Sequence, residues 1–176
     1  VHFVEHLRPT RLTAPHDEVV VMAANAKASG ASPHETALLI ARAVYDRIDY
    51  QRGVTGVHST GADAWEAGQG VCQDFAHVAI GALRSVGIPA RYVSGYLHPK
   101  PNAEIGETVT GESHAWVEWF AGAWFGYDPT NMIDIGERHV LVARGRDYTD
   151  VSPLRGVYAG PSASSIFVRV EITREA

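Results

Sequence analysis

The stretch from Gly70 to Val86 constrains the fold more than any other part of the chain. After Gly70, apolar residues recur at helical spacing, and Gly87 supplies a stop. The pattern predicts a central, well-packed helix whose buried stripe is formed by Phe75, Val78, Ala79, Ala82, Leu83 and Val86. Cys72, the only cysteine in the chain, would then lie in the first turn. Unpaired backbone N–H groups and the helix dipole favour a thiolate there.

The order of the remaining elements predicts an α+β domain, with helices first and antiparallel strands afterwards. Two more helices are expected ahead of the cysteine, over His16–Ala28 and from Ser32 to about Tyr50. Ser32, Pro33 and Glu35 form a capping-box start for the second of these. Strands are expected at His2–Leu7, Ile88–Leu97, Ser113–Trp119, Ala123–Asp128, His139–Ala143 and Ser165–Ile172, and a short helix at Ala62–Ala67. The segment His98–Gly111 is expected to be an exposed loop.

Length and charge exclude several classes of protein. The 176 residues fit a single domain that covers residues 1–176, and the net charge of -5 without a Lys/Arg cluster argues against nucleic-acid binding. No apolar run is long enough to span a membrane, and one cysteine cannot form an internal disulfide. We therefore expect a cytoplasmic protein that is not bound to a membrane. The chain begins at Val1 with sequence typical of a domain interior, so we expect it to be a fragment.

A hairpin count gives a physical reason for His114 and Asp128 to share a face. Side chains alternate along a strand, so an odd number of loop residues is needed to place both on one side. A three-residue loop, Phe120-Ala121-Gly122, pairs Trp119 with Ala123 and sets His114 directly opposite Asp128. The carboxylate would then accept the imidazole Nδ1–H and leave Nε2 facing a thiol.

These three residue types are what nucleophilic catalysis by a thiol requires. Cys72 would be the nucleophile, His114 the acid and base, and Asp128 the group that fixes and stabilises the imidazole. The attacked group would be an acyl carbon, giving a thioester. The backbone N–H of Cys72 is one expected oxyanion donor. For the second donor, Tyr50, Trp65 and Gln69 are all candidates.

Four motifs, in order, resemble the bacterial branch of the transglutaminase-like superfamily of cysteine enzymes. They are Gly70-Val71-Cys72-Gln73-Asp74-Phe75-Ala76, Gly87–Tyr96, Ser113-His114-Ala115-Trp116-Val117-Glu118 and Tyr127-Asp128-Pro129-Thr130-Asn131. The resemblance implies a papain-like fold, with the cysteine helix packed on an antiparallel sheet, and a Cys72-His114-Asp128 triad. It also implies that Tyr50 stands where animal transglutaminases have an oxyanion-stabilising tryptophan. Bacterial relatives have a β-rich N-terminal domain, of which residues 1–14 would be the remnant or linker.

The reaction itself stays open at this point. A thioester enzyme is a hydrolase if water attacks the intermediate and a transferase if an amine does, and we favour hydrolysis of a peptide or protein substrate. A non-catalytic binding module on the same fold is a third possibility. Trp116 shares a face with His114 and either lines the substrate cleft or is a core aromatic. The histidine spacing and the single cysteine predict no metal site, and no cofactor is expected.

Overall fold

Helices occupy the first half of the computed structural model and strands most of the second half. The structure describes residues 3–29, 32–153, 156, 159–160 and 168–175. Its helices are α1 (Val4–Leu7), α2 (Asp17–Ala28), α3 (Pro33–Arg47), α4 (Gly61–Ala67) and α5 (Cys72–Ser85). Its strands are β1 (Asp49–Tyr50), β2 (Gln69–Gly70), β3 (Ala90–Leu97), β4 (Thr108–Thr110), β5 (Glu112–Phe120), β6 (Trp124–Asp128), β7 (Ile133–Asp134), β8 (His139–Gly145) and β9 (Glu171–Thr173).

The α+β class is confirmed, with the cysteine-bearing helix packed on an antiparallel sheet. Five strands are ordered β7-β6-β5-β3-β8, and every neighbouring pair is antiparallel. One face of this sheet buries Ala115, Val117 and Trp119 in the same core as α5. Residues Gln73 to Arg84 of α5 are all buried. No helix in the described ranges is both long and apolar enough to cross a membrane.

Helix α3 begins as the sequence predicts but ends earlier. The Ser32 hydroxyl accepts the Glu35 N–H at 3.3 Å, and the Glu35 carboxylate accepts the Ser32 N–H at 2.8 Å, which completes the capping box. The helix stops at Arg47 rather than near Tyr50. Asp49 and Tyr50 instead form β1, which pairs in parallel with β2. This pairing sets Tyr50 beside Gly70, just ahead of the cysteine.

The N-terminal segment contradicts the expected strand at His2–Leu7, because residues 4–7 form the short helix α1. Long-range contacts determine this conformation. The Phe3 ring lies 4.4 Å from that of Phe120, and the carbonyls of His6 and Arg8 accept hydrogen bonds from Arg84.

Arg84, near the C-terminus of α5, connects this helix to other parts of the domain through hydrogen bonds. It is 5% exposed, and among the described residues it makes six hydrogen bonds, all to neutral oxygens. Burial lowers the pKa of this guanidinium to about 10, with the charge of Asp147 opposing. The acceptors are the carbonyls of His6, Arg8, Ala90 and Arg146 and the hydroxyl of Thr13.

Two of the later expectations change in detail. The segment 98–111 is mainly loop, but it includes β4, which pairs with β9. The last strand is Glu171–Thr173, and much of the predicted Ser165–Ile172 strand lies outside the described residues.

Candidate active site

Cys72 is the first residue of α5 and is partly exposed. The first backbone bonds of the helix run from Asp74 and Phe75 to the Val71 carbonyl, so the Cys72 amide precedes them. The Asp74 carboxylate accepts the Val71 N–H at 2.8 Å and the Thr55 hydroxyl at 2.6 Å. Burial raises the pKa of Asp74, and these two hydrogen bonds oppose the rise.

Gly70 is required for this turn because of its close approach to Asp74. A Cβ at Gly70 would lie 2.8 Å from the Asp74 Cβ, closer than side chains pack. Gly70, two residues before the cysteine, therefore lets the chain enter α5 with the Asp74 side chain packed against the Gly70 backbone. Cys72 is thereby held in a fixed position at the N-terminus of α5.

The β5–β6 loop has three residues, as the parity argument requires, but its bounds differ from the prediction. Phe120 pairs with Trp124 and Val117 with Tyr127, so the loop is 121–123 rather than 120–122. His114 and Asp128 therefore share a face as diagonal neighbours, and the expectation that they stand directly opposite is wrong. The strands still bring them together, since the two side chains form a hydrogen bond of 2.7 Å.

The imidazole of His114 is oriented opposite to our prediction. Its Nε2, not its Nδ1, contacts Asp128 Oδ2. Nδ1 is then the ring nitrogen left for the thiol, and Cys72 lies close enough to His114 to influence its pKa. Burial opposes the charged ring, but the hydrogen bond to Asp128 and the nearby Cys72 outweigh it and raise the pKa of His114 to about 9. The pair Cys72 and His114 can therefore hold a proton on the ring at neutral pH.

Asp128 is fully buried and accepts five hydrogen bonds. Its Oδ2 contacts His114 Nε2 at 2.7 Å, Asn131 Nδ2 at 2.7 Å and His139 Nε2 at 3.3 Å. Its Oδ1 accepts the backbone N–H groups of Thr130 and Asn131. Burial alone would raise the pKa of Asp128, but the donors, His114 first, hold it well below its usual range. The carboxylate thus stays charged in the interior.

Sequence reasoning missed two of these donors. Asn131 lies inside the fourth motif, three residues after Asp128, so an Asx-type contact was available as a signal. His139 offered none, because it begins β8, which is separated from β6 by β5 and β3. The contact between its ring and the carboxylate therefore joins residues on strands that are not neighbours in the sheet.

His114, Asp128 and His139 also form a candidate metal-binding group, because their ligand atoms lie within 4.8 Å of one another. The hydrogen-bond directions argue for a proton network instead. His139 Nδ1 accepts the Gly136 N–H at 3.3 Å, so the ring proton is on Nε2 and points to Asp128. A metal bound at Nε2 would need that proton to move to Nδ1, where it would face the Gly136 N–H.

A cavity of about 350 Å³ opens beside Cys72. It is lined by Tyr50, Arg52, Val71, Cys72, Glu112 and Ser113. Tyr50 is 50% exposed and, after Glu112, helps to raise the pKa of Arg52 above its ordinary value. Arg52 in turn forms an ion pair of 2.6 Å with Glu112, across the cavity. The rim of the site is therefore polar and in contact with solvent.

The structure distinguishes two of the three candidates for the second oxyanion donor, Trp65 and Tyr50, and revises the expectation for Trp116. The Trp65 N–H donates to Glu18 at 2.9 Å, so it is committed elsewhere, whereas Tyr50 lines the cavity. Trp116 is fully buried, with its ring 6.3 Å from that of His114. It supports the imidazole from the interior instead of lining a cleft open to substrate.

The family model described as the transglutaminase-like superfamily matches residues 21–129, more than half of the chain. The chain belongs to the transglutaminase-like superfamily. This match includes Cys72, His114 and Asp128, the residues that the geometry joins.

Several proteins with known sequences are similar to this chain. The uncharacterized protein ML0607 of Mycobacterium leprae is 49% identical over 172 residues, which is 98% of this chain and 61% of that protein. The uncharacterized protein Rv2569c of Mycobacterium tuberculosis is 40% identical over 76% of this chain and 45% of its own length. A protein-glutamine gamma-glutamyltransferase of Pseudomonas aeruginosa is 34% identical over 55% of this chain and 17% of that enzyme. The chain thus spans about half to three-fifths of the mycobacterial relatives.

Solved structures support the fold. A candidate cysteine protease from Cytophaga hutchinsonii superposes with a TM-score of 0.78 and 24% identity, over 99% of this chain and 56% of that one. The periplasmic domain of TgpA from Pseudomonas aeruginosa gives a TM-score of 0.51 and 24% identity, over 71% of this chain and 47% of that domain. The papain-like transglutaminase fold expected from the motifs is confirmed.

Proposed function

We propose that the chain is the catalytic domain of a cysteine hydrolase that cleaves a peptide or amide bond through a thioester. The observation that supports this most is the hydrogen bond from His114 to the buried Asp128, together with a neighbouring Cys72 that helps to raise the pKa of the same imidazole. A thiol at a helix N-terminus, next to an imidazole with a raised pKa, is what a thiolate nucleophile needs.

In the proposed reaction, the Cys72 thiolate attacks the substrate carbonyl carbon and forms a C–S bond. The imidazolium of His114 gives its proton to the leaving nitrogen as the C–N bond breaks. Water then attacks the thioester and loses a proton to His114, which releases the acid and restores the thiolate. Asp128 holds the ring in place and stabilises its charge during both steps. The Cys72 N–H, in the first turn of α5, and Tyr50 are the oxyanion donors that we propose.

Access to water favours hydrolysis. The side chains of Arg52 and Glu112 at the rim are 68% and 59% exposed, so water reaches the cavity beside Cys72. Acyl transfer to an amine is the second candidate, because the similar Pseudomonas enzyme is a protein-glutamine gamma-glutamyltransferase. Both reactions share the same thioester and differ in the nucleophile that resolves it.

Turnover of a library of peptides and acyl-amides, with and without a primary amine, tests the proposal. We expect Cys72 to release carboxylic-acid products, and added amine to leave them the main product. If the amine adduct dominates, the transferase is correct instead.

The matched control is Cys72→Ala, which should keep the fold and lose turnover. A Cys72→Ala protein with full turnover would contradict the nucleophile. An absence of turnover in the whole library, together with ordinary thiol reactivity of Cys72, would favour the non-catalytic binding module.

A further inference from the structure

A second histidine is buried against the carboxylate of the site. The side chain of His139, at the start of β8, is 1% exposed, and its Nε2 lies 3.3 Å from Asp128 Oδ2. Its ring packs edge-on against Trp116, with centroids 5.3 Å apart. The side chain thus reaches from the edge strand β8, across β3 and β5, to Asp128 on β6.

Gly95 on β3 makes this arrangement possible. A Cβ at Gly95 would lie 2.2 Å from the Val140 carbonyl oxygen and 2.5 Å from the Trp116 ring. Any larger residue would push β8 or Trp116 away. The glycine therefore allows β8 to approach closely enough for His139 to reach Asp128.

The hydrogen bonds of His139 determine its tautomer. Nδ1 accepts the Gly136 N–H at 3.3 Å, and an accepting nitrogen has no proton. The neutral ring then has its proton on Nε2, which donates it to Asp128 Oδ2. A backbone amide thus makes His139 a neutral donor instead of a competing cation.

A neutral donor has a specific effect on the carboxylate. Oδ2 accepts hydrogen bonds from His114, Asn131 and His139, and Oδ1 accepts them from two backbone amides. These bonds prevent the carboxylate from rotating. The donated proton stabilises the Asp128 charge without adding a positive charge beside His114. Asp128 therefore keeps its charge and its direction while the imidazole gains and loses a proton.

We infer that His139 is a positioning residue, which holds Asp128 charged and aimed at His114 through its Nε2–H. It touches neither the thiol nor the substrate, and it acts through the carboxylate. The inference rests on the proposed function, because it needs His114 to activate Cys72. Readouts that require no substrate separate the two ideas.

Two substitutions at His139 distinguish a donor from a packing side chain. His139→Phe replaces the imidazole with an aromatic ring that has no N–H donor. His139→Gln instead places an amide N–H the same number of bonds from Cβ as the Nε2–H of histidine. We expect the rate of Cys72 alkylation by iodoacetamide at pH 6 to fall about ten- to a hundredfold in the first variant, the loss typical of one hydrogen bond to a charged group. In the second it should stay within about threefold of the original.

A matched control is His98→Phe, which alters another buried histidine, 6% exposed, at the end of β3. We expect no change in alkylation for this variant. Equal rates for His139→Phe and the unaltered protein would overturn the inference. So would equal losses in the Phe and Gln variants, since they would indicate packing alone.

¹⁵N NMR of the unaltered protein tests the tautomer without any substitution, should His139→Phe fail to fold. We expect His139 to have a protonated Nε2 and an unprotonated Nδ1 at neutral pH. The reverse tautomer would overturn the inference. If the unaltered Cys72 itself reacts as an ordinary thiol, the proposed function fails, whatever the His139 tautomer.

Discussion

Asp128→Asn removes the charge that supports His114 while keeping the shape of the side chain. The substitution also creates a donor conflict. Five donors converge on the two carboxylate oxygens, and an amide has only one oxygen. Either orientation of the Asn amide sets its N–H₂ group against at least two of them, so the cost includes stability as well as activity.

The magnitude follows from the pKa of His114. It is raised from 6.5 to about 9, a difference of about 2.5, and each pKa unit corresponds to about 1.36 kcal/mol. The net stabilisation of the imidazolium is thus on the order of 3 kcal/mol, and Asp128 contributes more to it than Cys72 does. Losing most of this stabilisation should reduce the population of the thiolate–imidazolium pair by about a hundredfold. The free energy of unfolding should fall by about 2–5 kcal/mol, from the two or more unpaired donors.

The assay combines Cys72 alkylation at pH 7 with denaturant unfolding of the same protein. Asp134→Asn is the matched control, because Asp134 is an exposed aspartate on the adjacent strand β7 and should change neither quantity. An Asp128→Asn protein that stays within about threefold of the original alkylation rate would refute the reasoning. Asp128 would then be a structural residue.

Three further predictions concern stability. Arg84→Met should lower the free energy of unfolding by at least about 3 kcal/mol, because several buried carbonyls lose their donor, yet alkylation of Cys72 at the other end of α5 should not change. Gly95→Ala should cost about 1–3 kcal/mol by overpacking and should slow alkylation. Gly156→Ala, whose Cβ would meet nothing within 4 Å, should do neither. Equal effects of the two substitutions would exclude the close approach at Gly95 as the cause. The raised pKa of His114 adds stability that is complete below pH 6.5 and is lost as the pH rises to about 9. The free energy of unfolding should therefore fall between pH 6 and pH 9.5. This fall should be about 3 kcal/mol larger in the original protein than in His114→Gln.

Local signals predicted helices α2 to α5 and the parity of the hairpin. Ser32 and Glu35 are enough to locate the start of α3, because the capping box is formed by residues three apart. The odd loop length was predictable in the same way, from alternation along a strand. The register was not, because Phe120 pairs with Trp124 and also packs on Phe3, a contact between distant parts of the chain.

The parts that failed depend on distant residues. Whether His114 presents Nε2 or Nδ1 to Asp128 depends on how the strand twists relative to α5, and alternation does not encode that. His139 reaches Asp128 only because Gly95 lets two strands approach and Gly136 supplies an amide. The conformation of residues 4–7 depends on Arg84, nearly eighty residues later. Such contacts follow from the packed fold and leave no periodic trace in the sequence.

The pH dependence of Cys72 alkylation tests the central claim most directly, because it needs no knowledge of the substrate. An ordinary thiol becomes reactive near its pKa of about 8.5. We predict that Cys72 alkylates rapidly well below about pH 8, and that His114→Ala loses this reactivity while the exposed-site variant His58→Ala keeps it. An ordinary thiol profile in the unaltered protein, the same with and without His114, would contradict the account.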